Sequence, residues 1–446
     1  MSHISRRRFL ESTLQNGIAA SVGTAAVTSL LAQETDSQKK TAPSEKINVG
    51  CIGVRGRGDG LLRTFAAQKD VNILYVCDID QNVLASRSSA VEKIIGHEVR
   101  KVSDYRAILD DKNIDAITIG TPDHWHALPA IHGCQAGKDV YVEKPDGHNI
   151  NEGKMMVAAA AKYERMMQMG TQARSAPYMH DARKFVAEGG IGKVLFGKAW
   201  ESARQGAVPK VADSKPPKGV DYDRWLGPAP LRPFNRYRFH GNWRWFFDYG
   251  CGDLGNDGVH RLDYCRMAMG IEQMPHTISC SRGKLFFDDA QEWPDTMMAV
   301  YEFGGKPGRP KQIITYEMRL WSKPRLHGVT EGGAVFGENG WILMTNGRWT
   351  AFDRSQKVMK QGSDGSANQL HVRNFLDAVR SRRAQDLNQG IISGHVSSAL
   401  CHLGNIAWRT GRKFQFDAKT ETTSDAEVNK FLGRSYRKGY ELPAKL

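Results

Sequence analysis

Glu143-Lys144-Pro145 puts an acid, a base and a chain-breaker directly behind a short apolar run, and Asn256, Asp257 and His260 cluster further along the chain. Histidine titrates near neutral pH and a lysine charge steadies a developing alkoxide, so the two types together suit removal of a hydroxyl proton. Asn256 and Asp257 precede His260 by four and three residues, a spacing that brings all three together if a helix starts early enough. The plainer reading makes Asn256 and Asp257 helix caps and His260 a core histidine. Trp243 and Arg244, a little upstream, are types that stack on a sugar face and bond its hydroxyls, or else form a hydrophobic corner. His124 and His126 lack the partner spacing of a metal site and read as turn or cofactor-edge residues; no metal is expected.

The elements that must carry these residues follow from the surrounding pattern. Residues 140–142 read as a buried strand, and Pro145 cannot donate to a ladder, so Lys144 sits at a strand's carboxyl end. In an open parallel sheet that edge surrounds the ligand crevice. Near the start, the apolar run 47–53 leads into Gly53-Val54-Arg55-Gly56-Arg57-Gly58 and then an amphipathic helix through Leu61, Leu62, Phe65 and Ala66. Strand, glycine turn and helix in that order make a dinucleotide site credible, with the pyrophosphate on the helix N-terminus. Gly53 and Gly58 take the first and third glycine places; Arg55 takes the middle one and Gly56 follows it, so the phosphate contact is rearranged, with Arg57 among its residues. The run 71–77 ends at Asp78, the expected place for a ribose-binding carboxylate, which favours NAD over NADP. Thr121, Pro122 and His126, on the loop after a strand at 114–119, join Glu143 and Lys144 in the expected cofactor contacts. Helices read at 85–95 and 128–135, and a further helix capped by Asn151 runs towards Met166. Strands alternating with helices give a doubly wound parallel sheet.

After residue 170 the character changes. Two-residue alternation appears at 194–200, 297–303, 313–320 and 341–345, with hairpin signals at Asn339-Gly340 and Asn346-Gly347. The fold class expected is therefore α/β: a Rossmann sheet followed by an α+β domain with an open-faced, largely antiparallel sheet. Such a face suggests a homo-oligomer, a dimer or tetramer. Residues 207–233 read as a long excursion over the surface, residues 258–269 as a helix, and 366–382 and 391–411 as late amphipathic helices. Arg174, at the opening of this half, is expected at the substrate.

Seven cysteines without CxxC spacing indicate neither a disulfide framework nor a zinc site. The formal charge of +14 is spread along the chain without a nucleic-acid-binding motif, so no nucleic-acid partner is expected; a basic surface would favour acidic glycans. Ser5-Arg6-Arg7-Arg8-Phe9-Leu10 ahead of a mildly apolar stretch reads as a twin-arginine signal peptide over 1–34, followed by a polar linker over 35–46. This predicts a periplasmic or secreted protein. No stretch is long and apolar enough for a stable membrane span.

Glu143-Lys144-Pro145 behind a nucleotide-binding half, with Gly250-Cys251-Gly252 and with Asp257-Gly258-Val259-His260 followed by Asp263, resembles the glucose–fructose oxidoreductase, inositol dehydrogenase and rhizopine-catabolism (Gfo/Idh/MocA) family. The resemblance covers nearly the whole chain after Ser44. It implies a Rossmann domain over 47–170, a substrate and oligomerisation domain over 171–446, and a nicotinamide between them. By the same resemblance Lys144 holds the reacting hydroxyl and the nicotinamide ribose, and His260 is the acid/base. Many family dehydrogenases carry Asp four residues before that histidine, where this chain has Asn256; Asp257 is the available substitute. The implied function is an exported nicotinamide-dependent oxidoreductase acting on a hydroxyl of a sugar or glycoside, with a tightly held, recycled cofactor. Two alternatives remain: an NAD-dependent glycoside hydrolase working by transient oxidation and elimination, and a non-enzymatic sugar-binding protein with a degenerate nucleotide fold.

Overall fold

The computed structural model describes residues 46–202, 205–365 and 367–446. The expected signal peptide and nearly all of the linker lie outside the described residues. Six short apolar runs form a parallel sheet: β1 Ile47–Ile52, β2 Val71–Cys77, β3 Arg100–Val102, β4 Ala116–Ile119, β5 Asp139–Val142 and β6 Met167–Met169, in the order β3-β2-β1-β4-β5-β6. The order reverses between β1 and β4, which is where a doubly wound sheet opens its crevice. Both faces are covered, as the continuous apolar runs require. Helix α1 (Arg57–Ala66) packs Leu61, Leu62 and Phe65 on one face; α2 (Ile150–Lys162) packs Met156 and Ala159 on the other. The cap of α2 is Asn149, whose side chain accepts from the Glu152 N–H, rather than Asn151 as the sequence suggests. Cys51 and Cys77 are buried strand residues, as expected.

The second sheet has nine strands in the order β14-β13-β12-β11-β7-β10-β9-β8-β15. Its members are β7 Val194–Glu201, β8 Thr277–Gly283, β9 Thr296–Phe303, β10 Gln312–Arg319, β11 Glu331–Gly337, β12 Gly340–Thr345, β13 Arg348–Asp353, β14 Val358–Ser363 and β15 Phe414–Gln415. All its pairs are antiparallel except β7 with β10, so the fold class read from the sequence holds. Helices α3 (Val259–Met269) and α5 (Ile391–Thr410) contribute to the core on one face through Leu262, Cys265, Leu403 and Ile406. Phe196, Phe336, Trp341 and Phe352, directly opposite one another across β7, β11, β12 and β13, make an aromatic row. The fourth named helix, α4 (Ala367–Ser381), packs Phe375 and Leu376 back on the first sheet.

The excursion after residue 207 runs over the surface as expected as far as 221, with 209–210 and 212–219 exposed, and then turns inward as a strap along the first sheet's ligand edge. Val208, Trp225, Leu226 and Ala229 are buried. Asp80 bridges to Val220, the Gln81 N–H donates to the Gly219 carbonyl at 2.9 Å, and Arg224 Nη1 donates to Ser103 Oγ at 3.1 Å. Its proline and lysine content suggested solvent, but four aromatics, Tyr222, Trp225, Phe234 and Phe239, pack on one another in its interior.

Candidate active site

A cleft at the ligand edge of the first sheet, walled on its other side by residues from 224 to 256, takes most of the residues singled out above: Gly53, Arg55, Gly56, Arg57, Asp78, Thr121, Pro122, His126, Glu143, Lys144, Trp243, Arg244 and Asn256 all line it, while Gly58, Arg174, Asp257 and His260 do not. The glycine turn fits a nucleotide. Gly58 presses on Gly53 so closely that a Cβ would stand 1.9 Å from the Gly53 carbonyl oxygen, which packs the start of α1 onto the strand end. Gly56 is the N-cap and offers no side chain, leaving the first N–H groups of α1 facing the cleft, where a phosphate is favoured. Asp78 accepts from the N–H groups of Val54 (3.0 Å) and Asp80 (3.0 Å); desolvation raises its pKa while those bonds oppose the shift.

Arg57 turns from the phosphate side to Glu143, with Nε 2.8 Å from Oε1, and Gln172 Nε2 donates to the same oxygen at 3.2 Å. Glu143 therefore positions Arg57 and lines the cleft from behind. His126 ties two loops together, with Nδ1 2.6 Å from the Pro145 carbonyl and Nε2 3.0 Å from that of Thr121. His124 faces away into the core against the carbonyls of Trp225 and Tyr249.

At the other end of the cleft Lys144 Nζ donates to the Asn256 carbonyl (2.6 Å) and to its Oδ1 (3.1 Å). The helix does start early: a π turn, Leu254–Gly258, runs into α3. Such turns recur at functional sites because the extra residue re-aims side chains. Here the Asn256 amide donates to Asp257 Oδ2 at 2.9 Å rather than to His260. His260 is half-buried and, among the described residues, has no hydrogen-bonded side-chain partner. Burial, and then the Lys144 charge, hold it well below the usual histidine value, so at neutral pH it is an unprotonated base.

Arg174 is not at the cleft. It is buried in a two-pronged ion pair with Asp263, Nε to Oδ2 3.0 Å and Nη2 to Oδ1 2.8 Å, and Ser397 donates to the same Asp263 carboxylate at 2.6 Å. Against the cost of burial, Arg174 keeps Asp263 below the ordinary carboxylate range. Asp263, quoted only as a motif residue, thus anchors the opening of the second half to α3 and α5.

Two groups were invisible to sequence reasoning. Asp253 is 1% exposed, with Oδ2 3.4 Å from the Tyr316 hydroxyl and Oδ1 unbonded. Burial and Asp257 push it up to about 7, against the pull of Arg244. Asp146, next after Pro145, donates its N–H to Ser398 Oγ (3.0 Å) and pairs through its carboxylate with His395 Nδ1 (2.9 Å), whose Nε2 meets Glu421 Oε2 at 3.0 Å. Burial disfavours a charged His395, but Asp146 outweighs it and raises the ring to about 9. The loop behind Lys144 is thereby held by α5 and by the C-terminal segment.

Residues 47–171 match the family profile described as an NAD-binding Rossmann fold of the Gfo/Idh/MocA oxidoreductases, and residues 190–306 and 347–442 match that family's C-terminal alpha/beta domain. Levoglucosan dehydrogenase of Pseudarthrobacter phenanthrenivorans is 37% identical over 155 residues, 34% of this chain and 40% of that protein. An alpha-N-acetylgalactosaminidase of Shewanella oneidensis is 28% identical over 214 residues, 45% of this chain and 46% of that protein. The chain thus matches less than half the length of these two relatives. Among solved structures, the aldose-aldose oxidoreductase of Caulobacter crescentus superposes with a TM-score of 0.64 at 15% identity, covering 83% of this chain and 100% of that one, which is a likeness of fold.

Proposed function

Because the chain belongs to the Gfo/Idh/MocA oxidoreductase family, we propose that it is an exported nicotinamide-dependent oxidoreductase acting on a sugar or glycoside hydroxyl. The observation that carries this reading is the cleft itself, with a phosphate-ready helix start at one end and Lys144, held by Asn256, at the other; His260, four residues after Asn256, feels the Lys144 charge but is not part of the lining. When bound, the nicotinamide supplies the hydride acceptor and donor. The chain's own residues do the rest. His260 takes the hydroxyl proton at a ring nitrogen, and Lys144 Nζ donates to the oxygen as negative charge grows on it. Asn256 aims Lys144 and Asp257 holds the Asn256 amide, so the pair orients the ammonium rather than relaying a proton. Asp78 accepts ribose hydroxyls and disfavours a 2′-phosphate, which makes NAD the expected nucleotide.

Export rests on Ser5-Arg6-Arg7-Arg8-Phe9-Leu10, and no helix among the described residues is long and apolar enough to cross a membrane. Oligomerisation rests on the aromatic row of the second sheet. A second reading, hydrolysis of a glycoside through transient oxidation, elimination and re-reduction, is supported by the similarity to the alpha-N-acetylgalactosaminidase.

The test is to purify the protein without added cofactor, denature it, identify released nucleotide by mass spectrometry, and assay aglycone release from nitrophenyl glycosides. Bound NAD without aglycone release supports the oxidoreductase; bound NAD with release moves the assignment to the hydrolase. A chain that carries no nucleotide and binds none when it is added refutes both.

A further inference from the structure

Arg244 lines the cleft beside Trp243 and Asn256, yet among the described residues it makes no ion pair, and its Nε is buried without a hydrogen-bond partner. Of the other arginines of the cleft, Arg57 is paired with Glu143, Arg106 with Asp104, and Arg224 with Asp104 and Ser103, while Arg55 on the glycine turn is exposed to water and also lacks an ion pair among the described residues. A desolvated guanidinium nitrogen without an acceptor is costly, so a position of this kind is normally completed by a ligand. The backbone under it is fixed. A Cβ on Gly250 would stand 2.5 Å from Arg244 Cα and 2.9 Å from the Trp243 ring, and the next residue, Cys251, donates its N–H to Asp123 at 3.0 Å and accepts from Asn405 at 2.7 Å.

Phosphates are favoured at the start of α1, whereas Arg244 reaches the cleft from a different segment, the short helical turn His240–Trp245. His240 opens that turn within 3.2 Å of Asp80, and Arg244, four residues on, acts by charge on Asp253, as Lys144 does. At the reacting end Lys144, among the described residues, is hydrogen-bonded to the neutral oxygens of Asn256 and acts by charge on Asp123. Although Arg244 acts by charge on Asp253, among the described residues the two form no ion pair. Two cations thus face the reacting end of the cleft. The overall charge of +14 would draw polyanions towards it from a distance.

We propose that Arg244 holds an oxyanion carried by the sugar substrate, a carboxylate or a sulfate ester, so that the substrates are acidic rather than neutral glycosides. A guanidinium fork meets either group with two parallel N–H bonds, which adds geometric selection to charge. The inference rests on the oxidoreductase reading of the same cleft and narrows it.

The experiment measures binding calorimetrically to the nucleotide-loaded protein with methyl glucuronide, methyl glucoside 6-sulfate and neutral methyl glucoside, each also in the galacto configuration. In parallel, reduction of the bound nucleotide is followed by absorbance. A charged glycoside should bind about 10- to 100-fold more tightly than its neutral counterpart, the span of a charge-assisted hydrogen bond. Arg244→Gln should shrink that margin to about threefold or less, and Arg244→Lys should keep part of it, since the charge stays and the fork goes. Circular dichroism and nucleotide content report whether each variant folds; independently of any variant, the wild-type margin should fall as salt rises. Whichever charged glycoside wins identifies the oxyanion. Equal affinity for charged and neutral glycosides, no binding of any charged one, or a margin that survives Arg244→Gln or high salt overturns the proposal. A charged-glycoside margin without any nucleotide reduction would leave the oxyanion site standing and refute the oxidoreductase instead.

Discussion

Lys144 acts through what holds it: two oxygens of Asn256, one from the backbone and one from the side chain. Replacing it with Ala should lower kcat by about 10²- to 10³-fold while the bound nucleotide stays, checked by steady-state rates and mass spectrometry of the variant. His260 and Asp253 respond to pH in opposite senses. Burial and the Lys144 charge depress His260, so it stays a base through the range in which an ordinary histidine gains its proton. Burial and Asp257 raise Asp253 to about 7, so its neutral form is favoured in the fold. Its contribution to stability is complete below the ordinary carboxylate pKa of about 4 and is lost as pH rises towards 7. Asp253→Asn should therefore gain on the wild type as pH rises from 5 to 8, by roughly 2 °C or more in Tm followed by calorimetry. A flat difference across that range would show that Asp253 does not hold a proton in the fold. Glu143-Lys144-Pro145 was legible because acid, base and proline are adjacent in the chain. Asp253 was not, because its environment comes from Tyr316 on β10 and from burial that no local pattern reports.

Among the elements, α3 and its π turn show where periodicity stops being informative. The run from 258 to 269 reads as a helix, and it is one; the five residues ahead of it carry one more residue per turn than an α-helix, which a 3.6-residue pattern does not register. The extra residue explains why the Asn256 side chain meets Asp257 instead of His260. Arg174 was misassigned for a related reason: it sits near the boundary of the two halves, but its partner Asp263 is 89 residues away in α3. Arg174→Met should destabilise by about 3–5 kcal/mol through the buried carboxylate it strands. Denaturant melts read that loss, and Arg174→Lys, where folded, should keep the wild-type KM. A raised KM with unchanged stability would return Arg174 to the substrate. Asn149 rather than Asn151 caps α2 because its extended backbone turns its side chain onto the Glu152 N–H; a sequence with two asparagines so close does not distinguish them.

In the whole molecule, both sheets were legible because parallel and antiparallel strands leave different alternation in a sequence. How the halves interlock was not. The strap at 205–245 borders the nucleotide end of the cleft through Val220, Arg224 and the His240–Asp80 contact, so loosening these contacts is expected to speed nucleotide release. His240→Ala should speed nucleotide loss about tenfold, followed by native mass spectrometry after desalting, with the fold unchanged by circular dichroism. The same interlocking fixes when the site comes into being. During synthesis the first sheet and Lys144 leave the ribosome early, but the loop that carries Lys144 waits for His395, then Glu421, and Arg434 still later bonds the His124 carbonyl at 2.9 Å. At about 5–20 residues per second, the nascent chain spends tens of seconds between the exit of Lys144 and the arrival of α4, which completes the core on the first sheet, and of His395, which anchors the lysine loop. The nucleotide edge and the reaction centre are thus completed by neighbouring stretches of the chain, late and almost together.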